Sequence, residues 1–342
     1  MSAACSDVLA SLRASPVLLL ITLLCAAVVL VNGWTDAPNA IATAVSTGAL
    51  PFRRAAALAA VCNLFGAAAA TVGGAAVAET LYSIADFGGD SRRALCALCA
   101  ALTGIAVWGV LAWRFGVPTS ESHALVAGVS GAALAMPGGV ANLNCEAWSR
   151  VGLGLLLSLG LGLLLGRWWA RLLSRRQRSA AFCRRGQIAG AAAMALLHGA
   201  QDGQKFMGVF LLGVTLAGDG RGGDVFFVPL WPAVFCAALM ALGTLAGGRR
   251  IIDTVGRDMT SLTPQTGLAA DLGAACTLVL CTLPGLPVST THAKTAAILG
   301  AGGEQGGIRW RVVRSICLTW LLTFPGCGAL AFFLTRLFLF SG

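Results

Sequence analysis

HGAQDGQKFM, residues 198–207, holds a His, two Gln, an Asp and a Lys inside an otherwise apolar run. AGAAAMALL precedes it and GVFLLGVTLAG follows it. An Asp or a Lys at the centre of a membrane helix costs about 2.5–3.5 kcal/mol each on insertion scales. So costly a segment needs a partner, and the chain itself supplies one. NGWTDAPNA (32–40) aligns with HGAQDGQKF (198–206) at an offset of 166, matching Gly33 to Gly199 and Asp36 to Asp202. GVPTSESHALVAGVSGA (116–132) aligns with GLPVSTTHAKTAAILGA (285–301) at an offset of 169, matching Pro118 to Pro287, Ser120 to Ser289 and His123 to His292. Two different polar motifs recur in the same order at nearly the same separation, which marks an internal duplication.

The rest of the composition sets the solvent. The chain has 342 residues, 57% of them hydrophobic and only 11% charged, where soluble domains carry roughly 25% charge. Runs of about 20 apolar residues recur from end to end, and they are continuous rather than alternating. That pattern describes a polytopic helical membrane protein and excludes a β-barrel. The formal charge of +10 then reflects basic residues gathered in cytoplasmic loops rather than a nucleic-acid partner. The apolar stretch from Val17 to Val31 runs straight into NGWTDAPNA without a clean cleavage site, so it reads as the first span and not as a signal peptide. Cys96 and Cys99 form a CxxC inside an apolar helix. They read as packing residues, because the twelve cysteines show no metal-ligand spacing with His.

Between the two halves lies RWWARLLSRRQRSAAFCRR (167–185), with seven arginines. The expected organisation is an N-terminal repeat over 1–166, an Arg-rich cytoplasmic linker over 167–185 and a C-terminal repeat over 186–342. Counting outward gives apolar passes near 17–50, 55–80, 94–113, 118–137 and 150–172, then near 186–217, 225–247, 265–283, 287–302 and 313–340. Five passes per half is an odd number, so the halves lie upside down relative to each other and both termini face outward. Arginine placement agrees: sixteen fall inside and six outside on this topology, although Arg92 and Arg93 sit awkwardly outside. The expected fold is therefore all-α and polytopic, with two inverted-topology repeats, broken helices and re-entrant-type hairpins. In such proteins the substrate site lies at the midplane where the repeats meet.

All three histidines (His123, His198, His292) and both lysines (Lys205, Lys294) fall inside the four motif segments. Ionisable residues this scarce and this concentrated point to one polar site. The fourth pass of each half opens with Gly-x-Pro followed by hydroxyls. Pro breaks a helix, and the new helix N-terminus offers free N–H groups and a partial positive charge to an anion. Hydroxyls of Ser120, Ser122, Ser289, Thr290 and Thr291 donate to an oxyanion without fixing charge, so release stays feasible. Asp36 and Asp202 repel an anion unless a cation sits between, or unless a carboxylate takes a protonated phosphate oxygen. Either arrangement implies coupling to Na⁺ or H⁺. Lys205 either neutralises Asp202 or meets the anion. His123 and His292 serve equally well as braces for the hydroxyl clusters.

These residues resemble the inorganic phosphate transporter (PiT) family. NGWTDAPNAIATAVSTGAL resembles its first signature, HGAQDGQKFMG its second, and GVPTSESHALVAG and GLPVSTTHAKTAA its paired Pro-x-Ser-x-x-His elements. The resemblance covers roughly residues 17 to 337. It implies a secondary transporter that imports inorganic phosphate down a cation gradient, with no other cofactor and no catalytic residue. It places substrate at Asp36, Asn39, Ser120, Asp202, Ser289, Thr290 and Thr291, with cations nearby. Beyond the resemblance, Thr119 and Lys205 are added as substrate residues, and Asn32, Asp36, Glu121 and Asp202 are the expected cation ligands. The expected partners are phosphate and the lipid bilayer of the cell membrane, and a homodimer is admitted as the assembly. Three departures stand out: Glu121 replaces a small hydroxyl residue, Gln201 an Asn, and Thr35 a His. Some family members carry sulfate, so another oxyanion is the alternative substrate. A passive channel and an intramembrane hydrolase using Ser120 or Ser289 are the rivals from other classes. The duplication of every part speaks against the hydrolase.

Overall fold

A computed structural model describes residues 16–73, 76–88, 90–116, 118–175, 178–217, 230–303 and 307–341. Every element of length among them is a helix. α1 spans Pro16–Thr35, and a short 3₁₀ turn over Ala37–Ile41 leads into α2, Ala42–Ser46. α3 (Phe52–Gly73), α4 (Ala76–Tyr82), α5 (Ser91–Arg114), α6 (Glu121–Leu134) and α7 (Cys145–Ser174) complete the first half. The second half contains α8 (Ala180–Ala217), α9 (Leu230–Gly247), α10 (Arg249–Asp253), α11 (Pro264–Thr282), α12 (Thr290–Gly303) and α13 (Trp310–Ser341).

Five of these segments are long and apolar enough to cross a membrane: Pro16–Ser46, Ser91–Arg114, Cys145–Ser174, Pro264–Thr282 and Trp310–Phe340. A sixth arises if Val234–Gly247 and Arg249–Asp258, bent by 67° at their junction, form one span. α7 and α13 carry rows of exposed Leu and Phe, among them Leu156, Leu164, Leu321, Phe333 and Leu337. In water such a surface would aggregate; in acyl chains it is at home. The protein is a multi-pass membrane protein.

The fourth pass of each half is shorter than the apolar run suggests. α6 and α12 have 14 residues each, about 21 Å of helix, against a hydrocarbon core of about 30 Å. Their starts have a local cause. Gly116 and Gly285 adopt φ of 68° and 73°, a left-handed conformation that a side chain disfavours. Two residues on, Pro118 and Pro287 deny the preceding helix any continuation. Ser120 and Ser289 then cap the new helices, accepting from the backbone N–H of His123 and His292 at 3.4 and 3.2 Å.

The first pass of each half behaves differently in the two repeats. α1 stops at Thr35, and Asp36 sits in the break before the 3₁₀ turn. Pro38 causes this, because it lacks the N–H that would bond back to Trp34. At the same offset of 166 stands Gln204, which keeps its N–H, and α8 runs unbroken for 38 residues. HGAQDGQKF is therefore helical throughout. The arginine-rich stretch is also mostly helical: 167–174 is the end of α7 and 180–185 the start of α8.

Packing is reciprocal between the halves. α3 packs on α8 and α9 on α1; α7 packs on α12 and α13 on α6; α7 also meets α11 as α13 meets α5. Each half thus presents two helices to the other half, α3 and α7 from the first and α9 and α13 from the second. Close approach depends on glycine at matched positions. A Cβ on Gly33 would lie 2.4 Å from the Met240 carbonyl oxygen, and one on Gly199 2.2 Å from that of Asn63. Cys96 and Cys99 on α5 are both free thiols, in keeping with a packing role.

Candidate substrate and cation site

Three breaks or caps converge at the centre of the molecule: the end of α1, the first turn of α6 and the first turn of α12. The middle of α8 closes the cluster. Ser120 and Ser289, the two cap residues, meet hydroxyl to hydroxyl at 2.8 Å. Two helix N-termini therefore point at one spot, each with N–H groups that no helical turn can satisfy and each contributing partial positive charge.

Asp36 spans both termini. One carboxylate oxygen accepts the backbone N–H of Glu121 at 3.0 Å, in the first turn of α6, and the other accepts the Thr291 hydroxyl of α12. Asn39, one turn along, donates to the same Thr291 hydroxyl at 3.0 Å. Asp202 on α8 accepts from Asn32 Nδ2 at 3.1 Å and from Lys205 Nζ at 2.7 Å, with His198 Nε2 3.1 Å away. Lys205 also donates to Ser122 on α6 at 2.7 Å and to the Val288 carbonyl just before α12. The repeat shows itself in these bonds. Lys205 stands to Asn39, and Ser122 to Thr291, at the offsets of 166 and 169, so Asn39–Thr291 and Lys205–Ser122 are equivalent contacts made by opposite halves.

Every residue in this cluster is buried, most at 0–3% exposure. Three carboxylates (Asp36, Glu121, Asp202) share it with one ammonium, Lys205, so ionised carboxylates exceed the partners the chain provides. Several acceptor oxygens also lack any hydrogen-bond partner: Asn32 Oδ1, Asn39 Oδ1 and Glu121 Oε2. The Glu121 side chain turns from the paired serines toward α1, where its Oε1 accepts from Thr35 at 3.3 Å. Gly109 of α5 makes room for it, since a Cβ there would come within 2.6 Å of that oxygen.

Of the residues expected to bind, Asn32, Asp36, Asn39, Ser120, Glu121, Asp202, Lys205, Ser289 and Thr291 join this cluster. Thr290 is buried with its hydroxyl unpartnered. Thr119 lies outside the network: its hydroxyl pairs with Thr323 of α13 at 3.2 Å. The His123 and His292 rings stack edge to face, 4.4 Å between centroids, and brace the hairpins while the serine hydroxyls bond each other. Asp271 of α11 is a charged residue that the motifs did not include, yet it is fully buried against Lys294. It was readable as the sole charged residue in PQTGLAADLGAACTLVLCT.

The model of the family described as the phosphate transporter family matches residues 32–180 and 169–331, one stretch for each half. The chain belongs to that family. Its relatives in the phosphate transporter family include a probable low-affinity inorganic phosphate transporter of Rhizobium meliloti, 37% identical over 88% of this chain and 90% of the relative. A protein of the same description from Bacillus subtilis is 35% identical over 90% of this chain and 93% of its own, and one from Mycobacterium tuberculosis 36% identical over 91% and 75%. These relatives are named as transporters, in keeping with a carrier and against the hydrolase reading. A solved structure described as the sodium-dependent phosphate transporter shares the fold, with a TM-score of 0.86 over 94% of this chain and 99% of that one, at 21% identity.

Proposed function

We propose that this chain imports inorganic phosphate, driven by a gradient of Na⁺ or H⁺. The observation that carries the reading is the meeting of the α6 and α12 N-termini at Ser120 and Ser289, with Asp36 clasping both. Two helix N-termini, hydroxyl donors and one ammonium make an anion site. The carboxylates around it make sense if a cation arrives with the anion, or if one of them accepts from a protonated phosphate oxygen. Substrate contacts fall to Asp36, Asn39, Ser120, Asp202, Lys205, Ser289, Thr290 and Thr291. Asn32, Glu121, Asp36 and Asp202 supply oxygens to the coupling cation, with the unpartnered oxygens of Asn32 and Glu121 facing no donor of the chain. The names of the relatives support phosphate as the oxyanion, and the name of the structural neighbour supports Na⁺ as the ion.

The Ser120–Ser289 bond occupies the spot where the oxyanion binds, so the hairpin tips part before it enters. Reciprocal packing of the halves supports an inverted repeat in which one half rocks against the other, with the arginine-rich helix ends cytoplasmic and both termini outside. Phosphate uptake into proteoliposomes, with and without a Na⁺ gradient at two pH values, tests substrate and coupling together. Saturable uptake that rises with the Na⁺ gradient is expected. Uptake of sulfate but not phosphate would overturn the substrate, and flux without counterflow acceleration would make the protein a channel.

Glu121 allows a finer test. Its carboxylate leans away from the serine pair, so Glu121→Gln should leave phosphate affinity within about twofold at saturating cation. The half-saturating cation concentration should rise roughly tenfold, as expected for loss of one charged ligand. An unchanged cation dependence would remove Glu121 from the cation site.

A further inference from the structure

A second buried polar rung lies one helical turn from the central site. Lys294 stands three residues after Thr291 on α12, and Thr43 four residues after Asn39, so each pair shares a helix face. Lys294 pairs with Asp271 of α11, and both are fully buried. Thr43 donates to the same Asp271 oxygen at 2.6 Å and receives from Lys294 at 3.1 Å. The other Asp271 oxygen, Oδ2, has no hydrogen-bond partner. Beyond this rung Thr47 donates to Gln187 at 2.8 Å, and Arg184 reaches the Ala49 carbonyl at 3.2 Å. Exposure rises in that direction, from buried Thr43 through half-buried Thr47 to exposed Gly48. The polar residues from the break after α1 to the end of α2 thus form a ladder, Asp36, Asn39, Thr43 and Thr47, from the central site to the arginine-bearing end.

Stability does not account for the rung. A buried ion pair recovers little more than its desolvation cost, and an apolar pair would serve α11 and α12 as well. We propose that Lys294, Thr43 and Asp271 form a second, inner station for a protonated phosphate on its way from the central site to the arginine-bearing face; this rests on the transport reading above. The opening that draws Thr291 off Asp36 and Asn39 moves α12, and so draws Lys294 off Thr43 as well. The oxyanion leaving the central site then meets Lys294 as its next cation and the Thr43 hydroxyl as a donor. Phosphate retains an O–H at neutral pH, which the free Asp271 Oδ2 accepts. Sulfate has no proton to give, and its oxygens face a carboxylate.

The half-saturating phosphate concentration, measured from each face in right-side-out and inverted membrane vesicles carrying the full chain, tests this. Lys294→Gln should raise the value at the arginine-bearing face roughly tenfold and change the other face by less than about twofold, with Lys294→Arg restoring it. Equal shifts on both faces, opposite shifts on the two faces, or none would overturn the station. Should Lys294→Gln fail to reach the membrane, Asp271→Asn decides: sulfate should now compete with phosphate from the arginine-bearing face alone, and continued exclusion of sulfate would overturn the proposal. Wild-type vesicles with no saturable phosphate uptake from either face would instead overturn the transport reading, and the station with it.

Discussion

Asp202→Asn is expected to abolish phosphate uptake while the chain still inserts and folds. Asp202 receives Asn32 and Lys205 and lies beside His198. The Asn side chain offers one acceptor oxygen in place of two and turns an NH₂ on the remaining donors. Lys205 is left buried without its counter-charge, and breaking one partner of such a pair costs about 3–5 kcal/mol. That loss falls on the cluster where α8 meets both hairpins, because Lys205 also holds Ser122 of α6 and the Val288 carbonyl. A misplaced ammonium and a missing cation ligand together predict a fall in uptake of at least about a hundredfold, equivalent to roughly 2.7 kcal/mol. Insertion should not suffer, since a neutral amide costs less to bury than an ionised carboxylate. The check is uptake per folded molecule, with folded protein measured by size-exclusion chromatography in detergent. Near-normal uptake by this variant would take Asp202 out of the coupling site.

Asp202 also shows why much of the site was legible in the sequence. Polar residues in apolar helices cost enough that few remain without a task, so their positions stand out against Ala, Leu and Gly. That contrast located Asp36, Asp202, Lys205 and the two serine caps, and the offsets of 166 and 169 paired them. Orientation was less legible. Thr119 precedes Ser120 by one residue, yet one hydroxyl faces Thr323 on α13 and the other Ser289; a motif does not say which way a residue at the edge of a cap turns. Asymmetry between the repeats lies in a single residue, Pro38 against Gln204, which the otherwise matched motifs mask. Lys294 falls inside a motif segment and Asp271 does not, so only the packing of α11 against α12 reveals that the two pair. The arginine stretch read as a linker because charge was its dominant feature, although helix-forming residues on both sides carry α7 and α8 into it.

Gly199→Ala should destabilise the protein although alanine is the better helix former. In an open helical position the exchange stabilises by about 0.8–1.0 kcal/mol. Gly160 on α7 is such a position, with nothing within 4 Å of an added Cβ, and Gly160→Ala should raise the apparent melting temperature slightly. At Gly199 the added methyl would meet the Asn63 carbonyl oxygen at 2.2 Å, its Cα at 2.6 Å and its carbonyl carbon at 2.7 Å. All three are backbone atoms, so no side chain can swing aside, and α3 and α8 must separate. Overpacking of this kind costs about 1–3 kcal/mol or more, enough to reverse the sign of the propensity gain. The displacement also reaches the site, because Asn63 holds His198 at 3.0 Å one residue away, and His198 flanks Asp202. Gly199→Ala should therefore lose both thermal stability and uptake, the two measured on the same purified sample. A melting temperature at or above that of the wild type would show that α3 and α8 approach each other less closely than the Gly199–Asn63 contact requires, and that the reciprocal packing of the halves tolerates a wider seam.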